Sequence, residues 1–268
     1  MNREFTVVAV VLSAVALFLP TRSQTFTHVA IDGRTMRMLI VGSGESTVVF
    51  ENGFGPPLEM WGKVQPHVSR FARTVTYDRA GFGLSEDGPP PRDGRHIAAE
   101  LRDALRVAAV PPPYVLVGAS LGGLYIRVFA GMYPDDVSGM VLVDPTHDGD
   151  GIEGSVLPEL DVLPKTVGQA RTSQVPPRVS LVLIDGIGSR EVPFATSAIR
   201  QLRAKQRPEI DAESRAYRLW LDTIPGARLV TTDQSGHNIP IEQPQLVVET
   251  IRGVVRAARD RPRQYSVR

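Results

Sequence analysis

The spacing of apolar residues switches repeatedly along this chain between strand-like runs and helical periods. His28 to Ile31 and Met36 to Val41 read as paired strands joined through Asp32-Gly33, a hairpin turn signal. Gly42-Ser43-Gly44 forms a second turn, and Thr47 to Glu51 is a short apolar strand suited to a sheet centre. Leu58 to Phe71 reads as a helix and Thr74 to Tyr77 as a strand, followed by a loop at Gly88-Pro89-Pro90-Pro91. Ile97, Leu101, Leu105 and Ala108 recur at helical spacing, so Arg95 to Ala109 is predicted helical. Pro111-Pro112-Pro113 closes that helix before the next strand, Tyr114 to Val117. Leu121 to Met132 is helix, Met140 to Val143 strand, Val179 to Ile184 strand, Ala227 to Thr232 the last strand and Pro244 to Ala258 the last helix. No internal repeat is visible. Alternation of this kind predicts an α/β fold with a mainly parallel central sheet and helices on both faces. Residues 148–177 break the rhythm with Gly, Pro and few large apolar residues. They read as a short cap or lid over the functional site or as a plain surface excursion.

With 268 residues, the chain is long enough for one large core. A formal net charge of +1 gives no field to steer nucleic acid. The arginines near the C-terminus, Arg252 to Arg268, are explained by a solvated helix end. There is no cysteine, which removes disulfides, thiolate catalysis and Cys-ligated metals. No metal-ligand cluster or dinucleotide fingerprint appears, so no cofactor is expected. At the N-terminus, Arg3 precedes the uncharged run Phe5 to Leu19, which is short for a membrane span of roughly 20 residues. Pro20 ends the run, and Thr21 and Ser23 are small enough to precede a cleavage point before Gln24. Residues 1–23 are therefore read as an export signal or an uncleaved anchor, and 24–268 as the folded domain. Membrane contact is expected only if that segment is retained.

The candidate chemistry sits where the strand Tyr114 to Val117 meets Gly118-Ala119-Ser120-Leu121-Gly122-Gly123. A strand that turns sharply into a helix through Gly-x-Ser-x-Gly has the sequence form of a nucleophile elbow. It lifts the Ser120 hydroxyl to the apex, close to unpaired amides of the helix start. A serine hydroxyl needs a base within hydrogen-bond reach, and the base needs an orienting acid. The base candidate is His237, in Ser235-Gly236-His237, directly after the last strand and before the last helix. Asp144, ending Val141-Leu142-Val143, is the favoured acid, with Asp185, Glu191 and Asp148 as alternatives. Two backbone donors must hold the developing oxyanion. Leu121 N–H is one, and Phe54 N–H in Asn52-Gly53-Phe54-Gly55-Pro56 is the other. Asp78 and Ser85 in the turn after the strand ending at Tyr77 read as structural, and Trp61, Phe82, Tyr125 and Trp220 read as core or pocket lining.

Taken together, Glu51-Asn52-Gly53-Phe54-Gly55, Tyr77-Asp78-Arg79-Ala80-Gly81-Phe82-Gly83-Leu84-Ser85, the elbow, Val143-Asp144-Pro145 and Ser235-Gly236-His237 resemble the α/β-hydrolase superfamily over about Thr27 to Ala258. The resemblance implies the α/β-hydrolase fold, a Ser–acid–His site and hydrolysis of an acyl bond of a small-molecule ester. Three departures stand out: Ala119 where many relatives carry His, Asn52-Gly53 in place of the usual His-Gly, and Ser189 at the usual later acid site. Amidase, peptidase, thioesterase and perhydrolase chemistry use the same residues, and a non-catalytic binding module is the reading from a different class. An imidazole base of ordinary pKa, about 6.5, implies activity that falls in acid.

Overall fold

A computed structural model describes residues 26–55, 57–146, 158–187, 212 and 214–260. The export signal or anchor at 1–23 lies outside the described residues. Eight strands form one sheet: β1 (Phe26–Ile31), β2 (Arg34–Val41), β3 (Thr47–Glu51), β4 (Arg73–Tyr77), β5 (Tyr114–Ala119), β6 (Val137–Val143), β7 (Ser180–Gly186) and β8 (Arg228–Thr232). Their spatial order is β1-β2-β4-β3-β5-β6-β7-β8. β1 and β2 pair antiparallel across the Asp32-Gly33 turn, with Ile31 opposite Arg34, and β2 pairs antiparallel with β4. Every other pair, from β4–β3 to β7–β8, is parallel. β3 and β5 are buried along their whole length, as central parallel strands covered on both faces must be.

The helices described are α1 (Gln65–Val68), α2 (Gly94–Val107), α3 (Leu121–Met132), α4 (Pro158–Asp161), α5 (Leu163–Thr172), α6 (214–221), α7 (Ile239–Glu242) and α8 (Pro244–Arg259). One face of the sheet carries α2, α3 and α5, and its core includes Leu101, Leu105, Leu116, Leu124, Phe129 and Leu142. The other face carries α1 and α8 over Val48, Val117, Val141, Ile184, Val248 and Ile251. The apolar positions of α2 and α8 fall on one side of each helix, so burying that side drives both onto the sheet.

One expected element differs. Leu58 to Phe71 is not a continuous helix: Leu58–Trp61 makes a 3₁₀ turn, and α1 begins only at Gln65 with Pro66 in its first turn. Pro lacks the N–H that a longer helix would need there, and its fixed φ suits a helix start instead. Within the region read as a cap, residues 148–157 lie outside the described residues, and α4 and α5 follow. α5 docks through Lys165 Nζ, 2.6 Å from Asp93 Oδ2, and through Thr166 Oγ1, which accepts from Gly94 N–H at 3.0 Å. Asp93 also caps α2 by accepting from the N–H groups of Arg95 and His96. Burial would raise the pKa of its carboxyl, but Lys165 and His96 outweigh that and hold it well below the usual carboxylate range.

Candidate active site

At the end of β5 the chain enters α3 with no intervening loop, and Ser120 makes the whole turn. Its φ of 52° and ψ of −124° lie where a residue with a Cβ is strained by roughly 1–3 kcal/mol. Surrounding bonds fix the conformation. Ser120 N–H donates to Val143 O at 3.1 Å, and Ser120 O accepts from Gly123 N–H at 2.9 Å and Thr146 N–H at 3.0 Å. The two flanking glycines are required by contact. A Cβ on Gly118 would stand 2.5 Å from Gly122 O, and one on Gly122 would stand 2.5 Å from Glu51 O. The start of α3 therefore presses directly on β3 and β5, and the Ser120 side chain faces the sheet edge at half exposure.

Strand register brings the other two candidates to the same edge. Ala119 lies beside Val143, Val143 beside Ile184, and Gly186 beside Thr232. Asp144 follows β6 with φ of 42°, and its N–H donates to Ile184 O at 2.7 Å. One carboxylate oxygen accepts from Gly186 N–H at 2.8 Å; the other lies 2.6 Å from His237 Nδ1. Both oxygens are thus committed, which fixes the carboxylate plane. The loop carrying His237 rests on the end of β7, so closely that a Cβ on Gly186 would meet Gly236 O at 2.4 Å. Ser235 beneath it is fully buried and donates to Glu242 Oε2 at 2.8 Å. A neutral imidazole that donates its Nδ1–H as a hydrogen bond to Asp144 carries its lone pair on Nε2, the form a general base needs.

Of the alternative acids, Asp185 turns elsewhere and accepts a hydrogen bond from the Ser214 hydroxyl on α6. Burial pushes its carboxyl pKa up, only partly offset by that bond. Asp148 and Glu191 lie outside the described residues.

On the opposite flank of Ser120 runs the Asn52-Gly53-Phe54 loop. A Cβ on Gly53 would lie 3.1 Å from Ser120 Cβ and 3.7 Å from its Oγ, so this backbone borders the serine directly. Leu121, the first of the two expected donors, is the first residue of α3, whose opening amides have no intrahelical acceptor. Phe54 is half-buried, with its ring edge-on to Phe82 at 5.6 Å. The Asn at position 52 has its own work in the core: Oδ1 accepts from Trp61 Nε1 at 2.7 Å, and Nδ2 donates to Tyr77 O at 3.0 Å. Asp78 and Ser85, read as structural, bond within the turn, where the Ser85 hydroxyl donates to Asp78 O at 2.7 Å. Asp78 accepts from the N–H groups of Leu58 and Leu84 and pairs with Arg37 at 3.1 Å.

A buried ionic cluster beneath this loop went unread in the sequence. Arg79, 2% exposed, lies between Glu51 and Glu159, at 2.7 and 3.0 Å. The Tyr77 hydroxyl donates to Glu51, and Tyr125 donates to Glu159 Oε2 at 3.0 Å. Burial disfavours the guanidinium charge, yet the two carboxylates outweigh it and hold the Arg79 pKa well above its ordinary value. A Glu at the end of an otherwise apolar, fully buried strand was the available signal for half of this cluster; Glu159 had none. Among the described residues, no group of three or more His, Asp or Glu is placed to hold a metal ion.

A family model described as alpha/beta hydrolase fold matches residues 46–171, the stretch that holds the Asn52 loop, Arg79, the Ser120 turn and Asp144. An esterase structure from Thermogutta terrifontis superposes with a TM-score of 0.59 at 19% identity, covering 87% of this chain and 99% of that one. The protein has the α/β-hydrolase fold. Two curated proteins match over part of the chain. The uncharacterized protein YqjL of Bacillus subtilis is 36% identical over 118 residues, 44% of this chain and 46% of YqjL. The (lyso)-N-acylphosphatidylethanolamine lipase of Bos taurus is 32% identical over 101 residues, 37% of this chain and 30% of the lipase. The matched segments span less than half the length of these curated relatives. No helix among the described residues is long and apolar enough to cross a membrane.

Proposed function

We propose that this α/β-hydrolase is a serine hydrolase that cleaves carboxylic esters through an acyl-enzyme on Ser120. The observation that carries the reading is the strained Ser120 turn sharing one sheet edge with the Asp144–His237 pair at 2.6 Å. His237 Nε2 takes the hydroxyl proton as Ser120 Oγ attacks the ester carbonyl. The tetrahedral oxygen rests on the N–H groups of Leu121 and Phe54. The imidazolium, stabilised by Asp144, then protonates the departing alcohol. Water, deprotonated by the same imidazole, attacks the acyl-enzyme and releases the acid. An esterase and a lipase among the similar proteins agree with ester chemistry.

The assay is turnover of p-nitrophenyl esters of graded acyl length, with Ser120→Ala beside wild type. The expected outcome is a fall of at least about 10³-fold in kcat for the variant, with the series giving the preferred acyl length. Equal turnover by both proteins would remove Ser120 from the chemistry. Residues 1–23 support export of the domain. An exported product that begins at Gln24 is the expected result, and an intact Met1 the contrary one.

A further inference from the structure

The Arg79 cluster lies outside the triad yet touches the loop that carries the second oxyanion donor. We infer that Arg79 is a positioning residue that aims the Phe54 N–H, and that Glu159 holds Arg79 in that task. The inference rests on the reading of Ser120 as an acyl-transfer nucleophile.

Arg79 has five N–H donors, and all five are used. Nε donates to Glu159 Oε1 at 3.1 Å. One terminal nitrogen donates to Glu51 Oε1 at 2.7 Å and to Asn52 O at 2.6 Å. The other donates to Gly53 O at 2.9 Å and to Glu159 Oε2 at 3.0 Å. With no donor remaining, the guanidinium acts on the reaction only through these partners. The rings of Phe82 and Tyr125 lie 5.0 and 4.9 Å from its central carbon.

The contact to Gly53 O is the decisive one. The carbonyl of Gly53 and the N–H of Phe54 belong to one peptide unit, and that unit is trans. In a planar trans peptide the C=O and N–H vectors point in opposite directions. Fixing the oxygen on Arg79 therefore fixes the direction of the Phe54 N–H on the far side of the unit. A cation at the carbonyl also draws electron density from the amide and makes its N–H a stronger donor. The adjacent bond to Asn52 O locks the preceding unit, so the loop has no freedom to rotate the donor away. Glu159 belongs to α4, in the segment read as a cap, so the aim of the donor depends on that segment being docked.

The test measures kcat and KM for Arg79→Lys and Glu159→Gln on the p-nitrophenyl ester that wild type turns over best, with Ser120→Ala alongside. Rates are counted per active site from the acylation burst, and melting temperatures are recorded. A Lys offers at most three donors in another geometry, so Arg79→Lys should lose about 100-fold in kcat, in the range found for loss of one oxyanion donor. KM should move by less than about threefold. Glu159→Gln keeps the size and one acceptor, and should lose about tenfold in kcat. A trifluoromethyl ketone, which mimics the tetrahedral adduct, should weaken in step with kcat/KM, whereas a purely structural role would lower the melting temperature and leave kcat per site unchanged. If Arg79→Lys does not fold, Glu159→Gln decides alone. Wild-type kcat in the folded variants, with Ser120→Ala inactive, overturns this inference and leaves the serine reading intact. Activity retained by Ser120→Ala overturns both.

Discussion

The two flanks of Ser120 are built in opposite ways. On the His237 side the decisive contact is one 2.6 Å hydrogen bond near the surface, with the imidazole 60% exposed and the Asp144 carboxylate 19%. On the Asn52-Gly53-Phe54 side the backbone is held from beneath by a guanidinium 2% exposed, between carboxylates 1% and 4% exposed. The contrast matches what each flank has to do in the proposed reaction. An imidazole that takes and returns a proton within one cycle, and activates water between, must meet solvent. Oxyanion donors stabilise charge only insofar as they do not reorganise, and burial in a fully bonded network removes their alternatives.

That comparison is broken most severely on the exposed flank. Asp144→Asn keeps the shape but offers an amide that no longer selects the Nδ1–H tautomer of His237, and we expect kcat to fall by about 10³–10⁴-fold. Steady-state turnover with an unchanged melting temperature is the check, and a loss below tenfold would return the acid role to another carboxylate. A smaller effect sharpens the buried flank. Gly122→Ala would place a Cβ 2.5 Å from Glu51 O and 2.7 Å from Asn52 O, so either α3 or the Asn52-Gly53-Phe54 loop must shift. We expect destabilisation of about 1–3 kcal/mol by thermal or urea unfolding together with a reduced kcat. Wild-type stability and kcat would contradict the rigidity argued for that flank.

Local signals account for what the sequence revealed. Asp32-Gly33 marked the β1–β2 hairpin, the Gly118 to Gly122 motif marked the turn at Ser120, and the apolar stripe of α2 placed its helix to within two residues of the observed ends. Asp144 is favoured because Ser189 stands at the usual acid position after the later strand, and the structure brings the Asp144 carboxylate to His237, 93 residues away. The Leu58 to Phe71 segment misled because its apolar spacing fits a helix while Gly62 and Pro66 interrupt the backbone. The Arg79 cluster was invisible for a different reason. Its members are 28 and 80 residues apart, and no periodicity reports on a pairing made only when β3, β4 and α4 converge. The departure at Asn52 likewise becomes intelligible only in three dimensions, where Trp61 and Tyr77 consume both ends of its amide.

The central claim is that Ser120 is an activated nucleophile, and covalent mapping addresses it most directly. The full-length protein would be treated with a fluorophosphonate, digested, and read by mass spectrometry, with His237→Ala treated in parallel. The account predicts one adduct, on Ser120, formed far more slowly in the His237 variant. An unlabelled Ser120 in folded protein, or labelling at the same rate without His237, would contradict it.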